Sequence, residues 1–364
     1  MNKNRSTNPA ISFVAVLVAF ATAIIVNFSF AFAADGNLRT VDGRTEIDWR
    51  YDSKNDRSVA HVFKEDKPFD GFIANYDSKV LKEKCRYKNG LLNGLCTEWK
   101  VNWTTQPPTQ GKIKRTAEYK DGKLNGVEKH YDKGKLIDES MRGNGLLEGI
   151  RKRYGKDGSL SSEWAYSNGK REGVSKDYYS NGKVREETFY TMGTKEGTYK
   201  SYFEDGKLKA ERTFKNGKVH DIDKWYYSNG QLGFEGKFNM GRKEGVHTKF
   251  HKTHDGKPGK VKSIETYKDG IREGASKEYF RDGKVKKEEF FVANKIDGVV
   301  KVYRSNGKIV EEITYKKGKE YGPYKMYYSN GTLQEEGFFI DYKTPKGIVK
   351  KYFKNGKIKS EETF

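Results

Sequence analysis

The chain has 364 residues, of which 34% are hydrophobic and 33% charged, with a formal net charge of +21 at pH 7. Such a composition alone leans toward disorder, but 14% aromatic residues argue for a structure packed from rings rather than from Leu and Val. The 39 glycines and 7 prolines indicate many tight turns, as in a repetitive β architecture.

The N-terminus reads as a secretory signal peptide, predicted to be residues 1–33. Lys3 and Arg5 precede an uncharged apolar run, and Ala31-Phe32-Ala33 forms a small-residue cleavage signature. An uncleaved membrane anchor is the alternative, because residues 11–34 are long enough to span a bilayer. We therefore expect an exported protein, periplasmic, at the cell surface or secreted.

Removal of residues 1–33 deletes two positive charges and no acid, which leaves a net charge of +19. A strongly basic exported protein is suited to anionic partners such as lipid headgroups, envelope polymers or acidic glycans. The alternative is that scattered lysines serve solubility and protect strand edges.

A repeat organises the rest of the chain. Its starts are Gly71, Gly94, Gly126, Gly149, Gly173, Gly197, Asp221, Gly245, Gly274, Gly298, Gly322 and Gly347. Two spacings, 32 and 29 residues, are long, and the others are 23 to 25. We therefore predict an array of twelve units over residues 71–364, preceded by an N-terminal cap at residues 34–70.

Fixed columns run through the units. An aromatic lies five residues after every start, as at Tyr178, and an Asn-Gly or Asp-Gly turn then leads to an aliphatic such as Val184. Nine units carry a Glu three residues beyond the aliphatic, and eight of these have Tyr or Phe three residues later, as at Tyr190. Two turns per unit predict one β-hairpin per unit, so the fold class is all-β, an elongated open antiparallel meander of about twelve hairpins.

Two registers are open for each hairpin. A two-residue turn would place Lys176 opposite Glu187, whereas a three-residue loop with a left-handed Gly182 would pair Tyr178 with Val184. Burial of apolar side chains contributes about 1.5–3 kcal/mol each, against roughly 0–1 kcal/mol for an exposed ion pair. The second register is therefore favoured, and it predicts that Val174, Tyr178, Val184 and Tyr190 share one face.

The unit, approximately G-x-x-K-x-Y-Y-x-N-G-K-L-x-x-E-x-x-Y-x-N-G-K, resembles the variant MORN repeat of many bacterial proteins, over about residues 71–364. The resemblance implies a hairpin array that serves in binding or scaffolding. It also implies two associations known for members of the family: an antitoxin label in some, and membranes or protein assembly in others.

Cys85 and Cys96 are the only cysteines and flank one turn between hairpins symmetrically. Antiparallel strands can place them opposite each other, and an exported protein favours a disulfide. Two cysteines alone offer too few ligands for a metal.

Two units are enlarged at their first turn, and such insertions are often functional. The first contains Trp103, a candidate partner contact. The second follows a strand with His247 and His251 and contains His254, another candidate contact. The three histidines are weak candidates for a metal site, and a solvated loop is the alternative.

Catalysis finds little support, because a Glu repeated nine times indicates a ladder, whereas an active site is singular. We expect no enzyme activity and no cofactor. Basic residues among aromatics could stack bases, but fixed aromatic columns are better explained by packing, and nucleic acid is an unlikely partner of an exported protein.

The sequence thus predicts an exported, non-enzymatic binding or scaffolding surface for an anionic or protein partner at the cell envelope, which acts by many weak contacts. The alternatives are an antitoxin or immunity protein that neutralises a toxin, and a structural envelope spacer. The oligomeric state is left open.

Overall fold

The computed structural model describes residues 40–42, 47–52, 57–62, 67–254, 257–341 and 344–364. The predicted signal peptide, with Ala31 and Ala33 at its cleavage site, lies outside these residues. Within the described ranges the chain forms strands and turns, with no helix that is long and apolar enough to cross a membrane.

Three strands precede the repeats: β1 (Thr40–Asp42), β2 (Ile47–Asp52) and β3 (Arg57–Val62). The twelve hairpins are β4 (Gly71–Asp77) with β5 (Val80–Lys88), β6 (Leu91–Asn102) with β7 (Thr109–Lys120), β8 (Lys123–Asp132) with β9 (Lys135–Gly143), β11 (Gly149–Tyr154) with β12 (Leu160–Ser167), β14 (Gly173–Tyr178) with β15 (Val184–Thr191), β16 (Thr194–Tyr202) with β17 (Leu208–Lys215), β18 (Lys218–Tyr226) with β19 (Leu232–Asn239), β20 (Arg242–Phe250) with β21 (Val261–Lys268), β22 (Ile271–Tyr279) with β23 (Val285–Val292), β25 (Gly298–Tyr303) with β26 (Ile309–Lys316), β27 (Lys319–Tyr327) with β28 (Leu333–Asp341), and β30 (Ile348–Tyr352) with β31 (Ile358–Thr363). Four two-residue strands lie between hairpins: β10 (Leu146–Leu147), β13 (Lys170–Arg171), β24 (Lys295–Ile296) and β29 (Thr344–Pro345).

The strands from β4 to β31 form one open antiparallel sheet in chain order, and β1 adds to β4 in parallel. Strands β2 and β3 pair separately. The predicted all-β meander of twelve tandem hairpins is confirmed. Its repetition has a simple cause, because each unit buries its surface mainly against the next unit.

Eight of the twelve hairpin loops have the predicted three-residue form. The first and third hairpins have two-residue turns instead, and the second and eighth have enlarged loops. In the fifth hairpin, Tyr178 pairs with Val184, Gly182 has a φ of 79°, and the Gly182 amide donates a 3.0 Å hydrogen bond to the Tyr179 carbonyl. Lys176 nevertheless lies opposite Glu187 as well. Both pairings coexist because Arg185 is an extra, unpaired residue between them, a β-bulge.

The bulge overturns one prediction, that Tyr190 shares a face with Val174, Tyr178 and Val184. A one-residue bulge reverses the alternation of side chains beyond it. Tyr190 pairs with Gly173 and therefore lies on the face opposite Tyr178, whereas Phe189 lies beside Val174.

The residue that starts each unit is glycine because of its backbone conformation. Gly173 has a φ of 89° and Asp221, the one substitution, has a φ of 62°. At Gly197, for example, this residue lies within β16 at a second irregularity in strand pairing, where β15 and β16 shift register just after the turn between the hairpins. Asp tolerates the left-handed region better than most residues with a side chain.

Two clusters of buried apolar residues lie near the two ends of the array. At the first, Ala60 and Phe69 from the predicted cap pack with Ile73, Cys85 and Tyr87. At the second, Ile313, Tyr324 and Phe339 pack together, and the rings of Tyr324 and Phe339 stack with centroids 4.1 Å apart.

Candidate binding surfaces

The sheet presents two chemically different faces. We call the side of Lys176, Tyr178, Glu187 and Phe189 the ladder face, and the side of Ser175, Asp177, Glu186, Thr188 and Tyr190 the bulge face. The equivalent residues of the other units follow the same division, since the bulge recurs in all twelve hairpins.

The nine repeated glutamates form a charge ladder on the ladder face. Each is opposite a Lys of its own hairpin and, in all but two of the nine, opposite a Lys of the next hairpin. Glu187, for example, pairs with both Lys176 and Lys200. The ladder runs from Lys129 to Glu361 and is interrupted where Thr248 pairs with Ile264.

Tyrosines of the fixed aromatic column complete the ladder. The Tyr303 hydroxyl donates a 2.9 Å hydrogen bond to Glu288, whose other oxygen lies 2.8 Å from Lys277. These hydrogen bonds from Lys277 and Tyr303 lower the pKa of Glu288. Burial and the neighbouring carboxylate raise the pKa of Tyr303 to about 12. The tyrosines of this column therefore both pack against their neighbours and donate hydrogen bonds to the ladder.

A row of large apolar side chains runs beside the ladder. Each member is between 38% and 55% exposed. The row comprises Leu95, Met141, Ile150, Val174, Phe189, Ile222, Val246, Phe290, Val299, Phe338 and Ile348. Contiguous exposed apolar surface is typical of interaction sites.

The bulge face is polar and carries buried charge. Glu128 is 4% exposed, and it accepts hydrogen bonds of 2.9 Å from Arg115 and 2.8 Å from Arg142. Burial opposes its ionisation, but those two guanidinium groups lower the pKa of Glu128 overall. Elsewhere on this face cations lie over rings: the guanidinium of Arg171 lies 4.4 Å from the Trp164 ring centroid and 5.0 Å from that of Tyr190.

Basic residues occupy most of the bulges themselves. The bulged residue is Lys or Arg in seven hairpins: Lys82, Lys114, Arg185, Lys209, Lys262, Lys286 and Lys359. All but Lys286, which is half-buried, are exposed. Their side chains belong to the bulge face, because Lys114 lies 3.4 Å from Glu98 and Lys286 lies 3.0 Å from Glu278 there. We call these seven the bulge row.

A hollow of about 440 Å³ lies on the bulge face at the sixth hairpin. Ser201 and Ala210, both buried, form its floor. Its walls include Arg185, Lys209 and Trp225, together with Tyr199 and Arg212.

Cys85 and Cys96 are directly opposite each other on β5 and β6, and the structure joins them in a disulfide with Cα atoms 4.0 Å apart. Both side chains are buried in the first apolar cluster. Glu83 is their one neighbour with a metal-ligating group among the described residues.

The structure does not bring His247, His251 and His254 together as a set of metal ligands within the described ranges. His247 is 2% exposed on the bulge face, and its Nε2 lies 2.8 Å from the Lys237 carbonyl. Burial lowers the pKa of His247. His251 and His254 line a separate hollow of about 430 Å³ together with several Lys and Arg side chains, which would repel a metal ion.

Trp103 is 55% exposed in the loop between β6 and β7. The loop starts after a backbone pairing of Asn102 with Thr109, and Asn102 accepts a 3.1 Å hydrogen bond from the Thr104 amide. Its role as a partner contact stays a prediction.

Sequence reasoning missed two columns that join neighbouring units at their turns. The Glu172 carboxylate accepts a 2.6 Å hydrogen bond from the Met192 amide, which lies in the following turn between hairpins. Glu148, Glu196, Glu244 and Glu273 each accept the same hydrogen bond from an amide of the turn that follows them. At the other edge the Tyr179 hydroxyl donates to the Tyr202 carbonyl at 2.8 Å. His251 replaces tyrosine in this second column, since its Nε2 lies 3.1 Å from the Tyr279 carbonyl. The recurring Glu-Gly dipeptide was the available signal for the first column.

These faces, turns and columns define a protein built from tandem β-hairpin repeats that pair side by side in one sheet. The family model described as "MORN repeat variant" matches six segments: residues 171–191, 195–216, 272–293, 296–317, 320–341 and 345–364. The chain is therefore a MORN-repeat protein of the variant type. The family model does not match the six other hairpins, although the structure gives them the same pair of strands and the same bulge.

Repeats of this family commonly mediate binding to membranes or to proteins. No curated protein matches the sequence. Among solved structures, "Crystal Structure of TcdB2-TccC3-Cdc42" is similar at 10% identity, with 84% of this chain and 19% of that chain covered and a TM-score of 0.16. The chain thus spans about a fifth of that chain's length, and so weak a likeness carries no argument.

Proposed function

We propose that the chain is an exported, non-enzymatic binding and scaffolding protein that holds an anionic partner at the cell envelope. The observation that carries this proposal is the bulge row, seven cations placed at one structural position of the repeat. Units recur every two strands, so the members in adjacent hairpins, which form three pairs, are on the order of 10 Å apart, and the pairs are two or three units from the next member. Many weak contacts to a polyanion then add up to high avidity.

The repeated glutamates support a non-enzymatic role. Each of them lies opposite a Lys in the ladder, and six of the nine also accept a hydrogen bond from a Tyr, as Glu312 does from Tyr327 at 2.9 Å beside Lys301 at 3.1 Å. A carboxylate engaged in this way serves cohesion of the sheet. Its ninefold repetition gives no singular centre for a reaction.

The test is a comparison of two quadruple variants of the mature chain against an acidic polysaccharide, polygalacturonate. One variant replaces four exposed members of the bulge row, Lys82, Lys114, Lys209 and Lys262, by Gln. The matched control replaces four exposed lysines at the other turns, Lys120, Lys170, Lys215 and Lys268, by Gln. The net charge of the two variants is equal.

We expect the first variant to lose more than tenfold in affinity and the control less than threefold, with binding that weakens steeply as salt rises. Equal losses would mean that diffuse charge, and not the bulge row, holds the polymer. Export is tested separately by mass spectrometry of the secreted chain, which should begin at Ala34.

A protein partner is a second candidate, favoured by the exposed apolar row of the ladder face. Such a partner would bind in a one-to-one complex with weak dependence on salt. Replacement of Val174 and Phe189 by Ser would weaken that complex and leave polygalacturonate binding unchanged.

A further inference from the structure

The hollow at the sixth hairpin results from a single departure from the repeat. In each hairpin one pair of residues lies on the bulge face just before the bulge. This pair is Asp177 with Glu186 in the fifth hairpin and Trp225 with Phe234 in the seventh. In the sixth it is Ser201 with Ala210, and both side chains are small. The larger side chains around this pair therefore form the walls of the hollow, and Ser201 and Ala210 form its floor.

The walls carry more positive than negative charge. Arg185 lies 3.8 Å from Asp177, at the limit of an ion pair, and the Lys209 ammonium group lies 5.8 Å from the Phe203 ring centroid. Arg212 is held by Asp223 at 2.8 Å. Arg185 and Lys209 are therefore the cations that an anionic ligand would meet.

The hollow also offers ring surface and hydrogen-bonding groups of both kinds. Trp225 is half-buried, and its ring is within 15° of parallel to that of Phe234, with centroids 6.4 Å apart. Its indole N–H has no hydrogen-bond partner among the described residues. Glu186, which accepts a 3.2 Å hydrogen bond from Tyr199, supplies acceptor oxygens.

We propose that this hollow binds an acidic saccharide unit of an anionic glycan. The acid group would lie against Arg185 and Lys209, the apolar face of the sugar ring against Trp225, and its hydroxyls against Glu186 and the indole N–H. A carboxylate beside the two cations disfavours a bare polyphosphate, because it would repel the additional charges. A volume of about 440 Å³ falls in the range of small-ligand pockets.

This inference rests on the proposed function and gives it a specific subsite. It is tested with a short uronic-acid oligosaccharide, a neutral oligosaccharide of equal length and inorganic phosphate, by calorimetry and tryptophan fluorescence on the mature chain. The acidic oligosaccharide should bind at least tenfold more tightly than the neutral one, and phosphate at the same concentration should not displace it.

Two substitutions test whether the acidic oligosaccharide binds in this hollow. Lys209→Gln should weaken binding of the acidic oligosaccharide at least fivefold, and Trp225→Phe should remove its fluorescence response. Lys215→Gln is the matched control, because Lys215 is an exposed lysine of the same strand that lies outside both the bulge row and the lining of the hollow, and it should bind normally.

Three results would overturn the inference: equal losses in Lys209→Gln and Lys215→Gln, equal affinity for the neutral oligosaccharide, or displacement by phosphate. If one of these results is found but polygalacturonate still binds and its binding still weakens with salt, the proposed function holds and only this subsite is refuted. Loss of polygalacturonate binding as well would refute both.

Discussion

The Tyr178 hydroxyl donates a 2.6 Å hydrogen bond to the carboxylate of Glu163, which lies in the preceding hairpin. Five further tyrosines of the same column bond a glutamate of the preceding unit: Tyr154, Tyr202, Tyr303, Tyr327 and Tyr352. Six units are thus joined to the unit before them through the ladder face, in addition to the backbone pairing.

We predict that Tyr178→Phe lowers the free energy of unfolding by about 1 kcal/mol, because it removes a hydrogen bond to an ionised group that is partly exposed to solvent. Tyr226→Phe is the matched control, since Tyr226 occupies the same column and its hydroxyl has no hydrogen-bond partner among the described residues. Urea denaturation measures both. Equal losses in the two variants would show that the hydroxyl bond contributes nothing beyond packing.

Charge exchange tests whether the ladder acts as a continuous row or as isolated pairs. Lys176→Glu should destabilise the sheet by about 0.5–1 kcal/mol, because residue 176 would then face Glu163 as well as Glu187. The double exchange Lys176→Glu with Glu187→Lys restores that one pair. It still places like charges opposite Glu163 and Lys200, so a continuous ladder predicts incomplete recovery. Full recovery would reduce the ladder to independent pairs.

The sequence predicted the architecture because its signals are local and repeated. Turn residues and the Glu column recur at fixed spacing, and twelve copies average out the ambiguity of any one. The bulge had no such signal. Its position is held by Lys or Arg in seven units, but by Ile137, Ser161, Gly233, Val310 and Gln334 in the others. One unmarked extra residue reversed the face of Tyr190 and concealed the hollow at Ser201.

The free energy of unfolding should fall when the pH is lowered, because His247 is buried in its neutral form. Burial lowers its pKa below the ordinary 6.5, and nearby Lys243 acts in the same direction, whereas Glu265 and Asp223 partly oppose them. In the window between the folded pKa and 6.5 the unfolded chain binds a proton that the folded chain does not. Stability is therefore complete above about 6.5 and decreases as the pH falls through this window.

The control for His247 exists within the chain. Tyr324 lies over Gly337 on the bulge face much as His247 lies over Gly236, so His247→Tyr is a non-titrating replacement with a precedent. Urea denaturation at pH 7.5 and pH 5 should show a smaller loss for this variant than for the parent chain. An identical loss would exclude His247 as the source.

Replacement of Asp221 by glycine should stabilise the fold. The Asp221 φ of 62° lies in the left-handed region, where a side chain is strained. Asp221→Gly should raise the free energy of unfolding by about 0.5–1 kcal/mol, and Gly197→Asp, at a φ of 68° with no close contact for a new Cβ, should lower it by a similar amount. Opposite signs in thermal unfolding would support the backbone account. The same sign in both would assign the effect to side-chain contacts.

The cysteine pair gives the last prediction. Cys85 and Cys96 close a short loop, and an intact disulfide should contribute about 2–3 kcal/mol. A thiol assay on denatured, unreduced mature protein should find no free thiol, and two free thiols would refute the disulfide. Replacement of both residues by Ala should lower the denaturation midpoint, and reducing agent should then have no further effect. Because both side chains belong to the apolar cluster that includes Ala60 and Phe69, hydrogen exchange should increase first in the strands at that end of the array.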